Sequence, residues 1–338
     1  MKIQQAISRL IDGGDLIQVE ARRIMERIMS GENTDAQVGA YLTALHMKGE
    51  TISEIAGSAQ AIREKIRKIR VKGAMIDICG TGGDRVDTFN ISTTAAFVVA
   101  GAGAKVAKQG DASSSLRGGS ADLLKALGVN VHATEKGVAR CVEEAGIGFL
   151  FLPLYSESMK YVLSPRNDLA MSTLLNLLGP LSNPADVPCQ VMGVYDGIYT
   201  ETLATVLGRL GSKRALVVHG MDGLDEMTTT NSTRVAELDE KGRVTAYLVE
   251  PEQFGLPRAD LGSLRGGDLA VNVEITRAVL AGEKGPHRDI VVLNAGAALY
   301  ISGLAESIEQ GVVLAGQVID AGKAREKLEQ LVRLSHKS

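Results

Sequence analysis

Apolar residues recur three and four positions apart through the first 72 residues. Ile3, Ile7 and Leu10 share one face, and Ile24, Met25 and Ile28 continue a similar stripe. That is the period of an amphipathic helix, so this segment is predicted to be all-helical. Asn33-Thr34 and Thr51-Ile52-Ser53 place short oxygen-bearing side chains where the next two helices need N-caps. From Met75 the pattern shortens. Strand-like runs at 75–78, 104–107, 148–153, 189–194, 214–219, 233–238 and 244–249 alternate with helical stretches, notably 93–102, 120–127, 134–145 and 200–211. Such alternation predicts a mainly parallel sheet covered by helices on both faces. Residues 156–184 read as helical again, with Leu169, Leu174, Leu175 and Leu178 apolar, and are expected to return to the N-terminal helices. The tail after Gly267 reads as helical, apart from a strand near 289–293. The expected organisation is a small helical domain, residues 1–72 joined by 156–184, and a larger α/β domain from 73–155 and 185–338.

Composition narrows the functional classes. A chain of 338 residues with 45% apolar and 23% charged content can bury a large core. Aromatics are only 4% and Trp is absent, which counts against base-stacking surfaces. A formal net charge of −3 counts against a phosphate-backbone footprint. The basic run Arg63 to Arg70 is broken by Ile66 and Ile69 at helical spacing, so it reads as a solvated helix end rather than a nucleic-acid contact. Cys79, Cys141 and Cys189 have no metal-like or pairable spacing and are expected to be buried thiols in a reducing compartment. No apolar run is long enough for a signal peptide or a membrane span, so a cytoplasmic location without membrane contact is expected.

Candidate chemistry begins at the first strand. Asp77-Ile78-Cys79 runs into Gly80-Thr81-Gly82-Gly83-Asp84, and Thr88-Phe89-Asn90-Ile91-Ser92-Thr93 then opens an Ala/Val-rich helix. Glycines let a backbone approach a phosphate, and a helix N-terminus adds partial positive charge. The order fits neither a Gly-Lys-Ser/Thr phosphate loop nor a Gly-x-Gly-x-x-Gly turn. A second small-residue turn follows Lys108, through Asp111, Ala112 and Ser113-Ser114-Ser115 to Gly118-Gly119-Ser120, with Ser120 expected as an N-cap. After the 214–219 strand comes an adjacent carboxylate pair, Asp225-Glu226. Mg²⁺ commonly takes one or two carboxylates plus phosphate oxygens and water, so this pair beside phosphate loops suggests a metal–polyphosphate substrate. His219 reads as a hydrogen-bonded strand-end residue. Arg166 is able to recognise a carboxylate bidentately, with an ordinary surface arginine as the alternative, and Gly179-Pro180-Leu181-Ser182-Asn183-Pro184 ends a helix sharply.

In order and spacing these pieces resemble the anthranilate phosphoribosyltransferase family over essentially the whole chain. The pyrimidine nucleoside phosphorylases share the architecture, but their phosphate loop reads differently. The resemblance implies a helical domain hinged on an α/β domain, a homodimer, and Mg²⁺-dependent transfer of ribose 5-phosphate from phosphoribosyl pyrophosphate (PRPP) to anthranilate, in tryptophan biosynthesis. By position it implies PRPP contacts from Gly80, Thr81, Gly82, Gly83, Asp84, Thr88, Asn90, Ser92, Thr93, Lys108 and Ser120. It assigns Ser92, Asp225 and Glu226 to Mg²⁺, and Gly80, Asp111 and Arg166 to the acceptor. No residue is implied as an acid or base; the chemistry is electrostatic and positional.

The departures from the family pattern lie on the acceptor side. Gln109, Asp111 and Ala112 stand where relatives usually carry His, Asn and Arg; Ser156-Glu157 replaces a usual His-Pro, and Ser172 a usual Arg. An ionised Asp111 at about 5–6 Å from a substrate carboxylate, at an effective dielectric near 20, would cost about 3 kcal/mol. Another aromatic or nitrogenous acceptor is the alternative. A non-catalytic, nucleic-acid-binding relative is a third reading, opposed by the acidic balance and the Asp225-Glu226 pair.

Overall fold

The computed structural model describes residues 1–83, 86–112 and 118–337. Four helices open the chain: α1 (Ile3–Ile11), α2 (Gln18–Ile28), α3 (Asp35–Lys48) and α4 (Ile52–Lys65). Thr34 and Thr51 are the N-caps expected of them. Each hydroxyl accepts the N–H three residues on at 3.3 Å. Gln37 and Glu54 reach back to the cap N–H at 3.1 and 2.8 Å, completing two capping boxes. The basic run behaves differently from the expectation. Helix α4 stops at Lys65, and Arg63 is half-buried, donating to the carbonyls of Leu181 at 2.5 Å and Leu210 at 3.0 Å. It fastens the helix to distant chain rather than facing water.

The sheet has seven strands: β1 (Met75–Gly80), β2 (Lys105–Gly110), β3 (Ile147–Phe151), β4 (Cys189–Gly193), β5 (Arg214–Gly220), β6 (Thr233–Leu238) and β7 (Val244–Val249). Their spatial order is β3-β2-β1-β4-β5-β6-β7. The first five are parallel, and β6 and β7 add an antiparallel edge. The chain steps outward from β1 to β3, then restarts on the other side of β1 at β4. That reversal opens a crevice at the carboxyl ends of β1 and β4, where α/β folds bind ligands.

Helices α5 (Ile91–Gly101), α6 (Ser120–Ala126) and α7 (Glu135–Glu144) connect the first strands. Between β3 and β4 lie α8 (Lys160–Leu169) and α9 (Leu174–Leu178), and α10 (Thr200–Arg209) follows β4. Helices α11 (Leu269–Leu280), α12 (Pro286–Ile301), α13 (Ile308–Asp320) and α14 (Lys323–Ser335) end the fold. One core lies between the sheet and α5, α12, α13 and α14. The other joins the opposite sheet face to α7, α10 and the first four helices, and includes Val162, Leu174, Leu175, Leu177 and Leu178. Helices α8 and α9 therefore pack back on α3 and α4. The buried Tyr199 hydroxyl donates to Glu50 at 2.8 Å, a second tie between the two parts.

The strand expected near 289–293 does not form; those residues lie inside α12. Ile290, Val291, Val292 and Leu293 are all buried, because α12 is covered on every side. A short β-branched run buried all round cannot be told from a strand by periodicity. Pro286, whose fixed φ suits a first helical turn, was the contrary signal. Segment 156–184 is helical only in part: α8 ends at Leu169 and is capped by Ala170, a non-glycine residue in the left-handed region (φ 48°), before α9 starts. Cys79 and Cys141 are buried thiols, while Cys189 is only half-buried. No helix among the described residues is long and apolar enough to cross a membrane.

Candidate active site

β1 carries a carboxylate into the core. Asp77 has no exposed surface. Its oxygens accept from the Asn183 amide at 2.8 Å and from the Gln109 N–H at 3.3 Å. Burial pushes its carboxyl above the usual range, while the Lys108 charge, the Asn183 amide and the Gln109 N–H pull it back. Asn183 also donates to the Ala107 carbonyl at 2.9 Å, so the Gly-Pro-Leu-Ser-Asn-Pro turn is docked across β1 and β2. Lys108 is 3% exposed; its Nζ donates to the Ile78 carbonyl at 2.6 Å and lies 3.5 Å from Ser92 Oγ. The lysine sits beneath the start of α5.

Beyond β1 the glycine loop turns over the sheet edge. Thr81 donates its N–H to Gly193 O and accepts the Tyr195 N–H on Oγ1, each at 3.0 Å. Gly82 and Gly83 take φ of 64° and 83°, a region L side chains avoid. The loop amide of Gly82 donates to Asp225 Oδ2 at 2.8 Å. Gly80 leaves room for that carboxylate and Gly193 for the Asp225 backbone. A Cβ on Gly80 would fall 2.2 Å from Asp225 Oδ2, and one on Gly193 would fall 1.5 Å from Asp225 O. Glu226 accepts the Ser92 N–H at 3.2 Å, at the N-terminus of α5. Asp225 and Glu226 thus meet the loop and the helix start where phosphate would be cradled.

Other expected residues lie around this point. Asn90 is the N-cap position of α5, and its amide lies 3.4 Å from the Gly118 carbonyl at the entrance to α6. Thr88 bridges to Arg265, and Thr93, 2% exposed, faces the core. Ser120 is the first residue of α6 rather than its N-cap; Gly119 holds that position, and Asp122 accepts its N–H at 2.7 Å. The Asp122 side chain reaches back from the first turn to the cap N–H, the reciprocal half of a capping box, and the glycine at the cap supplies no side-chain oxygen. Asp84 and Ser113-Ser114-Ser115 lie outside the described residues. His219 Nδ1 pairs with the Val194 carbonyl at 2.8 Å, as expected of a strand-end histidine.

Beside the loop a cavity of about 310 Å³ runs under α8 and α9. Gly80 and Thr81 form part of its wall, with Gln109, Asp111, Arg166 and Pro180. Arg166 is half-buried and has no carboxylate partner among the described residues. Asp111 is exposed and its Oδ1 accepts the Ala112 N–H at 2.8 Å. Water therefore screens its charge, and the repulsion of about 3 kcal/mol expected from sequence falls to about 0.7 kcal/mol at about 6 Å in a dielectric of 80. A Cβ on Gly83 would lie 3.1 Å from Ser172 Oγ, so the turn between α8 and α9 reaches the glycine loop. Sequence reasoning missed Asp77 as the anchor, for which an acid inside an apolar strand was the available signal; Gln109, expected on the acceptor side, does line the cavity.

Among the described residues no group of three or more His, Cys, Asp or Glu side chains could hold a metal by itself. Two adjacent carboxylates and a serine hydroxyl suit a hard cation that completes its shell with substrate phosphate oxygens and water. That donor set fits Mg²⁺.

The sequence profile for the α/β domain of a glycosyl transferase family matches residues 72–325, and that for the family's helical bundle domain matches residues 4–66. The chain is thus a glycosyl transferase of the helical-bundle-plus-α/β type. It is 50% identical over 331 residues to anthranilate phosphoribosyltransferase from Moorella thermoacetica, covering 98% of this chain and 97% of that one. The same-named enzyme of Desulfosudis oleivorans is 51% identical over 333 residues, with 98% of each chain covered. The Thermus thermophilus enzyme of that name superposes with a TM-score of 0.92 at 42% identity, over 98% of this chain and 99% of the other. The Saccharomyces cerevisiae enzyme, solved with PRPP and Mg, gives 0.89 at 25% identity, over 99% and 98%. The chain belongs to the anthranilate phosphoribosyltransferase family.

Asn183→Ala removes a hydrogen bond to a buried charge. It is expected to destabilise the fold by about 2–3 kcal/mol, read as a lower urea midpoint with an unchanged slope.

Proposed function

We propose that this chain transfers the 5-phosphoribosyl unit of PRPP to the amine of anthranilate, releasing pyrophosphate, with Mg²⁺ as the required ion. The observation that carries this reading is shared wall: Gly80 and Thr81 belong both to the glycine loop and to the adjoining cavity. A sugar whose pyrophosphate lies on the loop would present C1′ to whatever fills the cavity. The N–C1′ bond forms as the C1′–O bond breaks; the bonding pair leaves on pyrophosphate, and the surplus amine proton passes to solvent or to the departing group. Mg²⁺, when bound, neutralises charge developing on the leaving oxygens.

In this reading Gly83 and the side chains of Asn90, Ser92 and Ser120 supply donors to PRPP, preorganised by the loop and the α5 terminus, while Gly82 and Thr93 shape the backbone around them. Lys108 adds positive charge beneath them, Asp225 and Glu226 hold Mg²⁺, and Arg166 takes the anthranilate carboxylate bidentately. Proximity supplies the remainder, since the amine is held beside C1′. The helical unit, residues 1–72 with 156–184, closes on the α/β unit to exclude water. A second reading keeps PRPP but uses an acceptor without a carboxylate; Asp111 and Glu157 on the cavity wall favour it. We also infer a cytoplasmic homodimer, supported by the large exposed apolar residues Ile11, Ile17, Val19 and Met47 on the first three helices and their links. Light scattering at twice the monomer mass checks this.

Incubation with PRPP, Mg²⁺ and anthranilate should consume anthranilate fluorescence, and EDTA should abolish the loss. Retained PRPP binding without turnover would sink the anthranilate reading and leave the second. Asp111→Asn should lower KM for anthranilate about threefold, the screened repulsion given above, with KM for PRPP unchanged; steady-state kinetics at low salt decide it.

A further inference from the structure

We propose that Asn294 is a positioning residue for the Mg²⁺ carboxylates, setting Asp225-Glu226 from the neighbouring helix α12. The inference rests on the Mg²⁺ assignment made above. Asp225 and Glu226 lie between the end of β5 at Gly220 and the start of β6 at Thr233, in chain that forms neither helix nor strand. Residues 224–229 are buried, so their peptide groups must find partners inside the protein. Asn294, which has no exposed surface, supplies both partners of Met227. Its Oδ1 accepts the Met227 N–H at 3.0 Å, and its Nδ2 donates to the Met227 carbonyl at 2.8 Å. Nδ2 also donates to the Ile290 carbonyl, one turn back on α12, at 2.9 Å. All three bonds agree on one amide orientation, since the reversed amide would set its oxygen against two carbonyls. The Met227 N–H belongs to the same planar peptide as the Glu226 carbonyl. The clamp therefore fixes the plane from which the Glu226 side chain departs.

Bonds inside this segment move with it. Asp222 Oδ1 accepts the Leu224 N–H at 3.2 Å and its Oδ2 accepts the Thr228 hydroxyl at 2.6 Å, which closes the segment on itself. Asn294 instead refers it to a helix 67 residues further along the chain. That helix is held against sliding, because α12 meets α13 backbone to backbone at Gly296. A Cβ there would fall 2.6 Å from Val312 N, and one on Gly311 would fall 2.2 Å from Gly296 O. Helix α12 also packs on α5, whose first turn carries Ser92, the third group assigned to the ion. Ser92 in turn donates its N–H to Glu226 at 3.2 Å. One helix thus supports both stretches of chain that supply the donor set. Partners that orient ligating carboxylates typically change metal affinity by about ten- to a hundredfold.

The test measures PRPP affinity by calorimetry on the full chain across a series of Mg²⁺ concentrations. Asn294→Ala should raise the Mg²⁺ concentration that gives half-maximal affinity about tenfold. At saturating Mg²⁺ its PRPP affinity should return to within about twofold of wild type. Leu331→Ala truncates a side chain buried in α14, outside the segment, and lowers stability alone. It should leave the Mg²⁺ midpoint unchanged. An unmoved midpoint in Asn294→Ala, or a loss of affinity that excess Mg²⁺ does not restore, would overturn the assignment and leave Asn294 a packing residue. Should that variant not fold, Asn294→Ser, which keeps a smaller polar group against Met227, is read in the same way: a raised midpoint supports the assignment and an unmoved one overturns it. A wild type whose PRPP affinity ignores Mg²⁺ sinks the metal assignment and Asn294 with it. A Mg²⁺-dependent wild type with an unmoved midpoint in the variant sinks the role of Asn294 alone.

Discussion

A carboxylate buried in the middle of a parallel sheet has to be partnered, and the partnering of Asp77 ties this molecule together. Lys108 supplies the opposing charge, the Gln109 N–H comes from β2, and the Asn183 amide comes from the turn that ends the α9 segment. One group therefore fixes β1 to β2 and brings chain from the helical part down onto the sheet. A pair of this kind adds little net stability over an apolar core, because desolvation offsets most of the attraction. What it contributes is position. Lys108 is held under the first turn of α5, and the Gly179-Pro180 wall is held beside the glycine loop.

Around that anchor the site is arranged by exclusion of side chains. Asp225 can reach the Gly82 amide because neither Gly80 nor Gly193 carries a Cβ. The glycines of the loop thus serve two purposes. Gly82 and Gly83 adopt left-handed backbone, while Gly80, like Gly193 on the next strand, makes room for an acid from the end of β5. Two strands on either side of the topological reversal meet there, and that is why the glycine loop and the carboxylate pair share one crevice.

The acceptor side is built on other terms. Its wall draws on β1, β2, α4, α8 and α9, and its polar groups are individually held: Arg166 on α8, Gln109 by the Gly179 carbonyl, Asp111 by its neighbour's N–H. Of the positions expected from sequence to depart from the family's usual pattern, Gln109, Asp111, Ser156 and Glu157 line this wall. An unusual residue in this wall changes which molecule fits beside the sugar without disturbing how the sugar phosphate would be held.

Much of this was legible before any coordinates. Helical periodicity marked the first two helices, Thr34 and Thr51 announced the starts of the next two, and short β-branched runs located all seven strands. These are local signals, set by how neighbouring residues share a face. The strand expected at 289–293 failed because burial on every side erases periodicity, and Ser120 lies one residue inside α6 because Gly119 takes the cap position, with its N–H accepted by Asp122 from the first helical turn. Arg63 looked like a solvated charge because its carbonyl partners, Leu181 and Leu210, lie more than a hundred residues away. The sequence by itself determined the elements, the order of the phosphate and carboxylate motifs, and the family. Only the tertiary structure decided that Asp111 is screened by water, that Asp77 is the anchor, and that Gln109 grips the Gly179 carbonyl in the cavity wall. Exposure, partners and amide orientation depend on chain brought together from far apart, and no local pattern records them.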